Sequence, residues 1–184
     1  GIWTVSPRGG HAFAYSVEWL ANPRRRPISL SLPLTHETNP FRGEVVEAWF
    51  DNLLPDSHDI RTRIARRYGV SPTQAFQLLE AIGRDCVGAV QLLPTGSPTP
   101  EVRRIEARPL TTAQIVALLD QTLSAAPLPL GEQDELRISL AGAQEKTALL
   151  LQDNQWQLPL GATPTTHILK LPLGRVGAVQ ADFS

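Results

Sequence analysis

The chain has 184 residues, 42% of them hydrophobic and 19% charged, enough for one large domain or two small ones with a buried core. Seventeen Lys and Arg against 18 Asp and Glu give a formal net charge of −1, which excludes a global electrostatic pull toward nucleic acid or anionic membrane. A single cysteine, Cys86, excludes an intramolecular disulfide and fits a reducing cytoplasm, and neither a run of 18 apolar residues nor a signal-peptide pattern is present.

Residues 1–36 read as short extended pieces. Phe13 and Tyr15, then Ile28, Leu30 and Leu32, alternate with small residues at strand period. The Arg24-Arg25-Arg26 run between Pro23 and Pro27 reads as a solvated loop. Residues 44–83 read as helical. Val45, Trp49 and Leu53 fall at i, i+4 and i+8, one face of a helix ending near Pro55. Asp56 or Ser57 caps the next helix, on which Ile60, Ile64 and Tyr68 repeat the spacing. Arg61, Arg63, Arg66 and Arg67 read as its solvated face. Gly69 ends it, and Ser71-Pro72 opens a third helix through Phe76 and Leu79 to Ile82.

Val87–Leu93 and Val102–Ala107 are strand candidates, separated by the turn-rich residues 95–100. Thr111 or Thr112 caps a helix through Leu123. Thr147–Leu151 and Trp156–Leu158 flank a hairpin turn at residues 152–155, and Ile168–Leu171 is a last strand. His167, with no ligand partners at close spacing, reads as a hydrogen-bonded core histidine rather than a metal ligand. His11, His36 and His58 read as surface residues, and Cys86 as a small core residue.

The densest chemical signal is Ile138-Ser139-Leu140-Ala141-Gly142-Ala143-Gln144-Glu145-Lys146-Thr147, followed by Thr166-His167-Ile168-Leu169-Lys170. A small-residue turn lets backbone N–H groups approach an anion closely. Lys146 adds a positive charge at its end, and Lys170 ends an apolar run that would fix an ammonium group. Glu145 reads as facing water. Neither Gly-x-Gly-x-x-Gly nor the Walker phosphate loop is present, so the turn alone would also fit a plain hairpin connection.

The wording of these segments, Arg137 to Leu149 and Pro164 to Pro172, closely resembles the HipA family of bacterial serine/threonine protein kinase toxins. Phe13-Ala14-Tyr15 with Glu18-Trp19-Leu20, the Pro27–Leu34 segment, Phe50-Asp51-Asn52-Leu53-Leu54-Pro55-Asp56 and the Ala81–Val90 stretch carry the resemblance back toward Gly1. It implies an α+β fold: a small mixed N-terminal subdomain over residues 1–95, then over 96–184 a linker and the antiparallel strands of a kinase-like nucleotide lobe, with the catalytic lobe absent. With no methionine in the chain, the segment is expected to be cut at both ends relative to the family.

The resemblance further implies ATP and Mg2+ as cofactors, with metal ligands beyond this chain. It assigns Leu140, Ala141, Gly142, Ala143, Gln144, Lys146 and Lys170 to the nucleotide site, Lys170 to catalysis and Ser139 to autophosphorylation. Phosphoryl transfer needs positioning and charge neutralisation above all, and these residue types suit that task. The implied partners are a HipB-like DNA-binding antitoxin, which would bring DNA in only indirectly, and a protein substrate such as an aminoacyl-tRNA synthetase. The implied setting is cytoplasmic, without membrane contact. The rival reading is a non-catalytic binding or regulatory module, as in split members of the family. A downstream catalytic lobe would decide between the two.

Overall fold

The structure, a computed structural model, describes residues 1–35, 39–85, 90–98, 100–123, 142, 144–171, 174–176 and 179–181. The chain divides into two compact units, residues 1–53 and 54–184. Both mix helices with antiparallel strands, the α+β class expected from the sequence.

In the first unit, strands β1 (Ile2–Val5), β2 (His11–Ala14) and β3 (Phe41–Arg42) form a sheet in the order β1-β2-β3. Helix α1 (Val17–Ala21) is capped by Ser16, whose side chain accepts from the Trp19 amide. Helix α2 (Glu44–Asp51) buries Val46 and Phe50. The face expected at Val45, Trp49 and Leu53 is thus displaced by one residue, and Val45 is 40% exposed. Both sets keep a four-residue period, so sequence spacing cannot choose between them. Sheet packing does, because Phe50 meets Trp3 ring to ring at 3.9 Å and Phe13 edge-on at 5.8 Å.

The strand expected at 28–32 is absent. Ser29 instead takes the backbone into a turn: its hydroxyl accepts from the Ser31 amide at 3.1 Å and its carbonyl from the Leu32 amide at 3.3 Å. Leu32 is fully buried while Leu30 is 96% exposed. The buried Tyr15 hydroxyl organises this turn by donating to the Leu32 carbonyl and accepting from the Ile28 amide at 3.0 Å. Burial pushes the Tyr15 phenol upward, opposed by that amide.

In the second unit, helix α3 (His58–Tyr68) is capped by Ser57, which accepts from the Ile60 amide, and ends at Gly69 with φ +68. Helix α4 (Ala75–Ile82) starts three residues later than Pro72 suggested and buries Ala75, Leu78, Leu79 and Ile82. Residues 90–93 carry no strand, and Val87–Gly88–Ala89 lie outside the described residues. Residues 102–103 turn, and the expected strand contracts to β4 (Ala107–Pro109), because the antiparallel ladder register begins at Ala107. Helix α5 (Thr112–Leu123) follows, with Thr111 accepting from the Gln114 amide.

Strands β5 (Lys146–Gln152) and β6 (Gln155–Pro159) are joined by Asp153 and Asn154, both at positive φ, 52° and 58°, the two-residue hairpin that right-handed strand twist favours. With β7 (His167–Lys170) they complete a sheet in the order β4-β6-β5-β7. Ala148, Leu149 and Leu150, consecutive residues that point to alternate faces, are all buried, so β5 is covered on both sides, and Leu158 of β6 is buried as well. Strands β8 (Gly174–Val176) and β9 (Val179–Ala181) pair with each other.

Candidate anion site at the start of strand β5

Strand β5 is a run of apolar and β-branched residues that buries Thr147 through Leu150, so its first residue is held by sheet pairing rather than left on a loop. Antiparallel register sets Lys146 directly opposite Lys170, which puts both side chains on one face of the sheet. Their approach is reinforced at the sheet's end. The Leu171 amide donates to the Glu145 carbonyl at 2.9 Å, and the Gln144 side-chain amide donates to the Leu171 carbonyl at 2.6 Å.

Like charges directly opposite in a sheet are destabilising. The Lys146 ammonium carries that penalty: burial pushes it below the ordinary lysine value, Lys170 adds to the depression, and the Asp56 carboxylate opposes it. Two cations held together in this way suit a multiply charged anion.

Gly142 lies beside them. Its φ is +116, and a Cβ there would fall 2.5 Å from the Lys146 Nζ. The ammonium therefore passes where any other residue would project its side chain, which gives a conformational and a steric reason for glycine. The Gly142 carbonyl accepts from the Asp56 amide at 3.2 Å. Asp56 belongs to the loop before α3 and is itself steadied from that helix, since Arg61 Nε donates to the Pro55 carbonyl at 2.6 Å.

Sequence reasoning named Gly142, Gln144, Lys146 and Lys170, and the structure brings these four together. Ser139, Leu140, Ala141 and Ala143 lie outside the described residues. It missed Asp56 and Arg63. Asp56 was read only as a helix cap, and Glu145 as facing water. Glu145 instead has a side chain 15% exposed, its Oε1 is sealed from solvent, and it forms an ion pair with Arg63. The helix face read as solvated is largely engaged: Arg67 is buried and donates to the Gln121 carbonyl at 2.6 Å, and Arg66 is the exposed member. Guanidinium forks find carbonyls and carboxylates that lie far away in sequence.

His167 is corrected as well. It is exposed on β7, at the end of the sheet, with its ring edge-on to Trp156 at 5.0 Å and Nδ1 2.9 Å from the Thr166 hydroxyl. His11 is not a surface residue but half-buried in β2, where Nδ1 accepts from Trp3 Nε1 at 3.2 Å. Among the described residues, no group of three His, Cys, Asp or Glu side chains could hold a metal, and no helix is long and apolar enough to cross a membrane.

Antiparallel sheets with helices, and paired lysines beside a glycine turn, define an α+β protein with a candidate anion site. The chain belongs to the HipA family: residues 2–93 match the family model of the HipA N-terminal domain. It is 41% identical to Y4mE of Sinorhizobium fredii (strain NBRC 101917 / NGR234), named as a kinase, over 95% of this chain and 41% of that protein. It is 28% identical to the serine/threonine-protein kinase toxin HipA of Shewanella oneidensis over 78% of this chain and 31% of that protein. A solved complex of Shewanella oneidensis MR-1 HipA with HipB and operator DNA contains a similar structure, at TM-score 0.64 and 26% identity over 92% of this chain and 38% of that one. The chain thus matches between 31% and 41% of the length of these relatives.

Proposed function

We propose that this chain supplies the phosphate-binding part of a HipA-like, ATP-dependent serine/threonine protein kinase toxin. The observation that carries the reading is the Lys146–Lys170 pair, set opposite each other across β5 and β7 beside Gly142. A sheet that accepts like charges in register at this point has a use for their joint field, and a nucleotide triphosphate is the ligand that field fits. The residues fit ATP on three counts: two ammonium groups, a turn whose glycine leaves room for one of them, and an intermediate rather than full burial of Lys146. Lys146 and Lys170 would hold phosphate oxygens, Lys170 as the catalytic lysine, and Gln144 would keep the end of β7 in place. Bound ATP supplies the transferable phosphoryl group and its Mg2+ neutralises charge, with metal ligands expected outside this chain.

On this reading Ser139, Leu140, Ala141 and Ala143 complete the phosphate turn. Phosphorylation of Ser139 would place about two negative charges among groups meant for ATP, an off-switch for the kinase. The family relationship extends the proposal to a cytoplasmic toxin that arrests growth by phosphorylating a translation component such as an aminoacyl-tRNA synthetase. The same relationship suggests restraint by a HipB-like DNA-binding antitoxin, as in the HipA–HipB–operator complex.

The test is induction of the full-length protein carrying Lys170→Ala. Growth arrest should disappear while the protein remains soluble and folded. Undiminished arrest would refute the assignment of Lys170 and favour a binding module over a kinase. Comparing ATP affinity of Ser139-phosphorylated and unphosphorylated protein tests the switch, and equal affinities would remove it.

A further inference from the structure

The chain that follows α1 carries a run of charge that the nucleotide reading leaves unused. Arg24, Arg25 and Arg26 are consecutive and all exposed. Among the described residues, none of their guanidinium groups enters a hydrogen bond or an ion pair. That sets them apart from Arg61, Arg63 and Arg67 of α3, each of which has a partner.

A solvated arginine run needs no particular backbone, yet here the backbone is fixed. Asn22 opens a turn: its side-chain oxygen accepts from the Arg24 amide at 2.8 Å and its carbonyl from the Arg25 amide at 2.9 Å. Pro23 presets the first angle of that turn. Trp19 Nε1 donates to the Arg26 carbonyl at 3.1 Å. The Tyr15 hydroxyl accepts from the Ile28 amide at 3.0 Å and donates to the Leu32 carbonyl. Tyr15 and Trp19 thus tie the chain at residues 26, 28 and 32, while the side chains of Arg24, Arg25, Arg26 and Leu30 stay in solvent. Leu30 is the sharpest case, 96% exposed where Leu32 is fully buried. A leucine on a loose loop can fold back onto apolar surface. One whose turn is tied on both sides keeps its apolar surface in water.

We propose that residues 24–30 form a ready-made docking site for an acidic peptide segment of a partner protein, whose carboxylates engage Arg24, Arg25 and Arg26 and whose apolar side chain covers Leu30. Guanidinium forks take carboxylates through two parallel hydrogen bonds. A backbone already fixed spares the ordering cost that a flexible loop incurs on binding. Leu30 decides between peptide and nucleic acid. A phosphodiester backbone satisfies arginines but offers a leucine nothing apolar, whereas a peptide offers both. The formal net charge of −1 adds no general attraction for nucleic acid. The surface lies within residues 1–53 and stands independently of the nucleotide reading.

The experiment titrates the full-length protein into a fluorescein-labelled, glutamate-rich peptide with a central leucine and follows anisotropy. Wild type should bind, and added salt should weaken binding, as for exposed charge pairs. The triple variant Arg24→Ser, Arg25→Ser, Arg26→Ser should lose at least about ten-fold in affinity, the summed scale of three exposed pairs. Leu30→Ser should lose about five-fold or more, the scale of one partly covered leucine. Every replaced side chain is exposed, so both variants should melt with wild type, which assigns the loss to the surface rather than to the fold. A peptide with glutamines in place of the glutamates should not bind.

Wild-type affinity in the triple variant, equal binding of the glutamine peptide, or a wild type that binds neither peptide would each overturn the proposal. A labelled DNA duplex is the remaining arm. It should bind more weakly than the acidic peptide at matched salt. Tighter binding of the duplex, lost in the triple variant and indifferent to Leu30→Ser, would make the run a nucleic-acid surface and reject the peptide assignment.

Discussion

In residues 1–53, Phe50 is 1% exposed and meets Trp3, Phe13 and Trp49 ring to ring. In residues 54–184, Lys146 meets Lys170 across the sheet. The first arrangement stabilises the fold with nothing else bound. Aromatic pairs add about 0.5–1.5 kcal/mol each beyond the area they bury. The second works against the fold, because opposed like charges weaken a strand pair by some tenths of a kcal/mol up to about 1 kcal/mol. Destabilising arrangements persist where function needs them, so on the proposed nucleotide reading the contrast separates residues kept for folding from residues kept for a ligand. Substitutions in the two places should therefore differ in kind as well as in size.

The largest effect should come from Phe50→Ala. Removing a fully buried ring that is stacked on one side and edge-on to others should lower unfolding free energy by about 3–5 kcal/mol. The urea midpoint should fall, and the emission of Trp3 and Trp49 should shift toward that of solvated indole. A loss below about 1 kcal/mol would show that the cluster is not the stabilising centre of its unit.

Next in size is Lys170→Ala, and here the two observables should move in opposite directions. Mg-ATP affinity should fall by about 2 kcal/mol, near thirty-fold, the scale of one hydrogen bond between charged groups. Thermal stability without nucleotide should hold or rise slightly, since the like-charge pair is gone. A fall in both would place Lys170 with Phe50, as a residue of the fold.

Gly142→Ala should be smaller. Holding alanine at the φ of +116 found there costs about 1–3 kcal/mol, and the new methyl would displace the Lys146 ammonium. Since that ammonium ends a flexible side chain, the steric part is relieved by a shift of Lys146, and the backbone part remains. ATP affinity should fall by less than in Lys170→Ala, because the Lys146 ammonium is displaced rather than removed. Unchanged affinity would detach Gly142 from the site.

How much of this was legible in the sequence follows the range of the interactions. Local rules held for the caps at Ser57 and Thr111, for the Gly69 stop and for the Asp153-Asn154 hairpin, because each is settled within four residues, whereas helix α1 behind its Ser16 cap stands in a stretch that reads as extended. The α+β class followed from the same signals together with the family resemblance. Periodicity failed where two registers were equally periodic, as with Val45 and Val46. It failed again where serine side chains supplied hydrogen bonds a strand would have taken, at Ser29 and Ser31. At the site, Gly142, Lys146 and Lys170 were found by motif. Their mutual register, and the part played by Arg63, Asp56 and Glu145, depended on contacts spanning tens of residues. A charged residue's partner cannot be read from its neighbours in the chain, which is why a face of arginines read as solvated turned out to hold carbonyls and a buried carboxylate.

The smallest and sharpest probe of the comparison is the titration of Lys146. Its value is depressed mainly by burial and then by Lys170, and is raised by Asp56. In the alkaline window beneath the ordinary lysine value, the unfolded chain therefore holds more proton at this residue than the folded chain does. Stability from this group must then rise with pH through that window, and the penalty is carried in full below the folded value. Asp56→Asn should lower the Lys146 value further by removing the opposing carboxylate. Lys170→Gln should raise it, leaving burial as the remaining cause. Following the Lys146 Cε resonance against pH in the three proteins checks both signs without any ligand. If Asp56→Asn moved the resonance midpoint upward, Asp56 would not be facing the ammonium, and the charge balance drawn around the two lysines would have to be redrawn without it.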